Sequence, residues 1–334
     1  MKRIVICADG TWNVRDQVDD KVGKRRPSNV TKIARAVLTR SNGIDQIVIY
    51  HNGIGTDPGM DKFTGGAFGR GIEENVRALY RSITYNYAPG DELYLFGFSR
   101  GAFTVRTLAG FMNLAGLLEK DDDYYVPDLY ECYEKGQGPG TAMWTQANRN
   151  VSNTLPCPPI RMIGVWDTVG ALGAPGLMGQ LFNKDKYKYH RIELNPHIQH
   201  AYQALAVDER RKPFAPDVWK RPAGWQGVLE QAWFPGVHCN VGGGYTPDGL
   251  ANGALHWIVD RAKALGLGMD TAYLDHFEAH SDSFLGDSMG AMYKMMGPLV
   301  RSIGTTDPAS ESIHPSTRQR MANPKCNYRP KNVP

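Results

Sequence analysis

Chemistry is suggested first by Gly97-Phe98-Ser99-Arg100-Gly101, a G-x-S-x-G run behind the apolar stretch Leu93-Tyr94-Leu95-Phe96 and ahead of a helical pattern. Between small residues at a strand-to-helix turn, a serine is held in a strained backbone conformation. Its hydroxyl stands above the sheet at a helix N-terminus, where backbone N–H groups stabilise an oxyanion. That arrangement suits attack on a carbonyl carbon. A hydroxyl is a poor nucleophile until a base takes its proton, so a histidine and an orienting acid are also required. Among nine histidines, His238 has the fitting context. It ends Trp233-Phe234-Pro235-Gly236-Val237-His238, and Gly242-Gly243-Gly244 just beyond lets the loop approach the serine. His314, in Ile313-His314-Pro315-Ser316, is its best rival. For the acid, Asp167 closes the run Ile163-Gly164-Val165-Trp166, and Asp208 competes from Ala206-Val207-Asp208-Glu209; the strand-end position favours Asp167.

A second motif, Ala8-Asp9-Gly10-Thr11-Trp12-Asn13, directly follows the first apolar run. The D-x-D-G-T start of haloacid-dehalogenase-type phosphatases is similar, but Cys7 stands where the nucleophilic aspartate would be, which removes that chemistry. The expectation is that Asp9, Gly10 and Thr11 lie on the oxyanion and substrate side of Ser99, their backbone N–H groups acting with that of Arg100. The plainer alternative is that Asp9 ties down its own turn. Gly65-Gly66-Ala67-Phe68-Gly69-Arg70-Gly71 lacks G-K-[ST] and does not directly follow a strand, so it reads as a flexible loop near the site rather than a nucleotide cradle. Five scattered cysteines without a C-x-x-C pair give neither a zinc site nor a disulfide framework. No cofactor and no metal are expected.

Positioning these residues takes strands that end at one edge. Continuous apolar runs predict strands at about 3–8, 46–51, 92–98, 160–166 and 229–234, each covered on both faces. Ser28 or Asn29 caps a predicted helix through Val30, Ile33, Val37 and Leu38; a second runs from Ile72 through Val76, Leu79 and Ile83. A third follows Ser99, with Phe103, Leu108, Phe111 and Leu114 on its apolar side. Alternating strand and helix predicts an α/β fold of the α/β-hydrolase type, a mostly parallel sheet with helices on both faces. At 334 residues, 42% hydrophobic and 22% charged, the chain fits one such domain over residues 1–322, with insertions at about 119–158 and 170–197 and a C-terminal tail at 323–334.

The net charge of +4 is small, and its dense cluster, Lys21, Lys24, Arg25 and Arg26, reads as a solvated loop; nucleic acid is not an expected partner. The opening run Ile4-Val5-Ile6-Cys7-Ala8 is too short for a signal peptide, and no stretch approaches the ~18 apolar residues of a membrane span. Synthesis as a cytoplasmic chain is expected, with any export independent of an N-terminal signal. Met289, Met292, Met295 and Met296, with Leu285, Leu299 and Val300, form a Met-rich stretch of helical character, suited to acyl chains or to plain core. The first of these uses would bring a transient membrane-surface contact.

With these motifs in place, the sequence resembles an α/β-hydrolase family of bacteria and fungi that includes the type VI secretion phospholipase effectors of the first lipase class. The resemblance is carried by Ala8–Asn13, Gly53-Ile54-Gly55-Thr56, Phe96–Ala102, Gly164-Val165-Trp166-Asp167-Thr168-Val169-Gly170 and Ala204–Arg211, then by Trp233–His238 with Val241–Tyr245, and by Ile313–Ser316. It implies a catalytic triad of Ser99, Asp167 and His238. The implied substrate is a phospholipid or other lipid ester, with a small-molecule or carbohydrate ester, or a silent binding scaffold, as alternatives. An immunity or secretion partner is also implied. One departure stands out: Cys239-Asn240 follows the histidine where the family usually carries Ser-Asp, keeping hydrogen bonding at position 240 and losing its charge.

Overall fold

The computed structural model describes residues 1–10, 13, 16, 18, 23, 25–53, 65–170 and 193–334, with 65–70 and 292 described by backbone alone. Thr11, Lys21, Lys24 and most of the 170–197 stretch lie outside the described residues. The strands are β1 (Arg3–Ala8), β2 (Arg40–Ser41), β3 (Ile44–His51), β4 (Glu92–Phe98), β5 (Leu117–Leu118), β6 (Thr154–Leu155), β7 (Ile160–Trp166), β8 (His200–Ala206), β9 (Val228–Phe234) and β10 (Glu311–Ile313). Eight of them form one sheet in the order β10-β9-β8-β7-β4-β1-β3-β2. Its neighbours run parallel except for β2 with β3. This is the mostly parallel α/β-hydrolase-like sheet.

The helices are α1 (Asn29–Ala36), α2 (Gly65–Asn86), α3 (Arg100–Ala115), α4 (Val126–Glu134), α5 (Ala142–Asn148), α6 (His238–Gly242), α7 (Gly249–Ala264), α8 (Thr271–Leu274), α9 (Ala291–Met295) and α10 (Pro315–Ala322). Alternate residues of each strand serve opposite faces. Ile4, Ile6, Leu93, Leu95, Ile163 and Val165 pack with α2 and α3 in one buried cluster. Val5, Cys7, Tyr94, Phe96, Met162 and Trp166 pack with α1 and α7 in the other. Each fully buried Leu, Ile or Phe contributes about 1.5–3 kcal/mol relative to exposure, so burial on both faces fixes the strands whose ends carry the site. After β1 the chain builds β3 on one side, then returns to place β4 on the other. The crevice beyond the carboxyl ends of β1 and β4 is thus a topological switch point, where open α/β sheets bind ligands.

Three expectations are corrected. Residues Gly65–Gly71 are not a loop: they form the first turns of α2. Each helical glycine costs about 1 kcal/mol relative to alanine; burial of Ile72, Val76, Leu79, Tyr80 and Ile83 further along offsets that. The Met-rich stretch contains only the short α9, with Met289 buried but Met295 and Val300 exposed, so it is neither a long helix nor plain core. A strand absent from the sequence reading, β8, lies between β7 and β9. Between α3 and β7 lie α4, α5 and the antiparallel pair β5–β6. The tail is tied down by Tyr328 Oη, which donates to Asp208 Oδ2 at 2.7 Å, and by Asn332 Nδ2, which donates to the carbonyls of Val207 and Arg301.

Candidate active site

Ser99 follows the last residue of β4 and caps α3, with φ 58° and ψ −121°. Few side chains tolerate that conformation, and it is held by close packing. A Cβ on Gly97 would meet the Ala102 Cα at 2.6 Å, and one on Gly101 would meet the Ala8 carbonyl oxygen at 2.1 Å. Only glycine lets strand, helix and the end of β1 come this close. The Ser99 N–H donates to the Trp166 carbonyl at 3.0 Å, joining the turn to the end of β7.

Asp167 comes next after β7, also at positive φ (42°), and its carboxylate is fully buried. His238 follows β9 and opens α6. Its Nε2 lies 2.8 Å from Ser99 Oγ and its Nδ1 2.6 Å from Asp167 Oδ2. With Asp167 ionised, Nδ1 carries the proton and donates to it, which leaves Nε2 to accept from the serine hydroxyl. Burial alone would raise the Asp167 carboxyl, but the Arg301 charge and the His238 hydrogen bond outweigh it and hold it well below the usual carboxylate range. Burial lowers the His238 imidazole below an ordinary histidine, and the Asp167 hydrogen bond only partly opposes this. A neutral imidazole that accepts a proton from a hydroxyl is what a general base for serine requires.

The rivals fall elsewhere. His314 caps α10, stacks on Phe234 at 4.0 Å and has its Nδ1 on Ser316 Oγ. Asp208 accepts from Tyr328 and from the Gly236 N–H rather than from the histidine ring. The Asp9 and Gly10 N–H groups, expected on the oxyanion side of Ser99, have partners of their own. The Asp9 N–H donates to the His51 carbonyl at 3.1 Å, and the Gly10 N–H donates to Asp9 Oδ1 at 2.7 Å. The Asp9 carboxylate further accepts from Asn13, Ser28, Thr31 and Tyr50, and so fastens β1, β3 and the start of α1 together. A carboxylate needs such donors to stay in a buried site. Thr11 lies outside the described residues, and Arg100 opens α3 as expected, in the position whose N–H serves an oxyanion hole when the preceding serine is the nucleophile.

Several residues around the histidine were not singled out from sequence. Glu209 is buried; its Oε2 accepts from the His238 backbone N–H at 3.2 Å, and its Oε1 from Arg211 and Ser288. The Arg211 guanidinium lies over the Phe214 ring, 3.4 Å from its centroid, and Phe214 meets the His238 ring edge-on at 5.0 Å. The Asp-Glu-Arg-Arg run after an apolar stretch was the available signal. Asn240 does not touch the imidazole: its Oδ1 accepts from the N–H groups of Val237 and Gly286, and its Nδ2 donates to the Phe284 carbonyl at 2.9 Å. An aspartate could not make that last bond. The glycines beyond the histidine do allow close approach, since a Cβ on Gly242 would meet the Phe98 ring at 2.0 Å. Arg301 donates through both terminal nitrogens to the Asp167 carboxylate, at 2.6 and 3.1 Å, and no sequence signal marked it. Among the described residues no group of histidine, cysteine and carboxylate side chains has metal-binding geometry, and no helix is long and apolar enough to cross a membrane.

The model of the T6SS phospholipase effector Tle1-like catalytic domain matches residues 2–261. An uncharacterized protein of Saccharomyces cerevisiae is 26% identical over 235 residues, which cover 64% of this chain and 32% of that protein. The crystal structure of an uncharacterized protein from Pseudomonas aeruginosa aligns with a TM-score of 0.52 at 16% identity, over 84% of this chain and 49% of that one, and shares the fold. The structure of a Tle1 effector bound to the VgrG spike of the type VI secretion system aligns with a TM-score of 0.38 at 21% identity, over 73% of this chain and 51% of that one. The chain thus spans about a third of the yeast relative and about half of each solved one. On the family match, which runs through the elbow, the acid and the histidine loop, the chain belongs to the family of Tle1-like phospholipase effector catalytic domains of type VI secretion.

Proposed function

We propose that the protein hydrolyses carboxylic esters of phospholipids, or of other lipids, through an acyl-enzyme on Ser99. The reading is carried by one observation, the unbroken hydrogen-bond chain from Ser99 Oγ through His238 to Asp167. His238 Nε2 takes the hydroxyl proton as Oγ attacks the ester carbonyl carbon. The Arg100 N–H serves the oxyanion, and Asp167 stabilises the imidazolium. The imidazolium then protonates the leaving alcohol. Water, deprotonated by His238, attacks the acyl-enzyme, and the fatty acid leaves as Ser99 regains its proton.

A lipid substrate is supported by the family and by the rim of the site. Tyr293 of α9 meets Phe214 edge-on at 6.3 Å, and the exposed side chains of Met295, Met296 and Val300 follow on the same segment. Exposed apolar side chains on a segment that reaches the Phe214 ring suit acyl chains and a transient contact with a membrane surface. Family membership further supports a secretion partner and an immunity partner, with export that bypasses an N-terminal signal.

The test is a panel of phospholipid vesicles and p-nitrophenyl esters, from acetyl to palmitoyl, run on wild type and Ser99→Ala. Fatty-acid release from vesicles that falls by at least ~10³-fold in Ser99→Ala is expected. Turnover confined to acetyl and butyryl esters would replace the lipid ester by a small-molecule one. Equal turnover by Ser99→Ala would end the reading.

A further inference from the structure

The Asp167 carboxylate serves more than the histidine. Oδ2 accepts from His238 Nδ1 and from Arg301 Nη2; Oδ1 accepts from Arg301 Nη1 and from the Ala206 N–H at 2.9 Å. The two carboxylate oxygens therefore hold four donors, about as many as their lone pairs accommodate. The Arg301 guanidinium is itself buried and also donates to the carbonyls of Ala206 and Phe214, so it cannot swing away from the acid. It comes from residue 301, beyond residue 261 where the family match ends.

We propose that Arg301 is a positioning residue of the hydrolytic site: by sharing the Asp167 carboxylate with His238 it fixes that carboxylate's direction and leaves less of its negative charge for the imidazolium. The inference rests on the serine-hydrolase reading above. Its physical basis is that a buried carboxylate with one partner, an imidazole, strongly favours the imidazolium, whereas a second, permanent cation on the same carboxylate opposes it. The other charged groups near the imidazole are Glu209, on its backbone N–H, and Arg211, paired with Glu209; Cys239 adjoins it in the chain, and Arg100 and Tyr293 lie near Arg211. Glu209 and Arg211 form one ion pair and Asp167 and Arg301 the other, so Arg301 is the cation that competes for the imidazole's own partner. The consequence is a His238 that stays neutral, and a site that stays active, further into acid than a two-member acid–base pair would allow.

The test is the pH profile of kcat/KM for a soluble short-chain ester, with wild type, Arg301→Lys and Arg301→Met compared after thermal melts show which are folded. Arg301→Met should move the acidic limb up by about one pH unit, while Arg301→Lys, which keeps the charge and loses the fork, should keep the limb near wild type with a lower kcat. A folded Arg301→Met with an unmoved acidic limb would overturn the proposal. If Arg301→Met does not fold, the His238 imidazole is titrated by NMR in the Ser99→Ala protein. A lower titration there than in Ser99→Ala/Arg301→Gln, whose amide keeps a donor but no charge, supports the sharing of Asp167; equal titration in the two overturns it. That titration needs no turnover, so a loss of the Ser99 reading and a loss of the Arg301 inference remain separate results.

Discussion

Ser99 and His238 meet at 2.8 Å, yet the two sides of that contact are built by opposite means. The elbow is made within one short segment, by a backbone forced to φ 58° and by Gly97 and Gly101, whose missing Cβ atoms let β4, α3 and β1 touch. The histidine side is a network drawn from distant segments. Asp167 comes from the end of β7, Glu209 from beyond β8, Phe284 and Gly286 through Asn240, and Arg301 from near the C-terminus. One side stores strain in a few residues; the other spreads hydrogen bonds over many. Strain tolerates no change of shape, whereas a network tolerates changes of shape better than changes of charge.

That contrast can be broken by substitution. The largest effect is expected for Asp167→Asn on the network side. The amide can no longer hold the proton-donating tautomer of His238, and kcat/KM for a lipid ester should fall by about 10⁴-fold. The same change leaves Arg301 buried without its counter-charge, so a denaturant melt should show a loss of about 3–5 kcal/mol. On the elbow side, Gly101→Ala changes no charge but sets a methyl against the Ala8 carbonyl; the melt should show a loss of about 1–3 kcal/mol, with lower labelling of Ser99. Unaltered stability would mean that the corner is not as tight as described. Asn240→Asp tests the network at its edge. It turns a donor to the Phe284 carbonyl into a second acceptor, which should lower stability by about 1–3 kcal/mol while activity changes less than tenfold. A large rate effect would tie residue 240 to the imidazole after all.

Acidification gives a milder test of the same contrast. Both Asp167 and His238 titrate lower in the folded protein than in the unfolded chain, so each contributes stability that is present above its unfolded value and lost as pH falls. The His238 contribution should fade below about pH 6.5 and the Asp167 contribution below about pH 4. Thermal melts from pH 8 to pH 3 should show stability falling through both windows, with the first reduced in His238→Gln. A wild-type melt flat from pH 7 to pH 5 would contradict a buried neutral histidine.

Legibility in the sequence follows the same division. The elbow was readable because its parts are contiguous: an apolar strand, two glycines, a serine and a helical pattern. Strands β1, β4 and β7 were readable because their apolar runs are unbroken. Strand β8 was not: the buried Gln203, bonded to Thr168 and to Gln231 of β9, breaks its run, and only Ala204, Leu205 and Ala206 follow. Strand β9 was read past its own buried Gln231 from the bulky Trp233-Phe234 end. Asp9 was placed beside the right strand, but what holds its carboxylate was not legible, since the hydroxyls that engage it arrive from Ser28, Thr31 and Tyr50. Arg301 was beyond reach: its partner lies 134 residues away in the chain, and nothing in Val300-Arg301-Ser302 marks a buried cation.

The central claim, that His238 makes Ser99 a nucleophile, is tested most directly by a fluorophosphonate, which phosphonylates an activated serine and needs no knowledge of the substrate. Peptide mass mapping should find the adduct on Ser99, formed at least ~10³-fold faster in wild type than in His238→Ala. An adduct at another residue, or equal rates in the two proteins, would contradict the account.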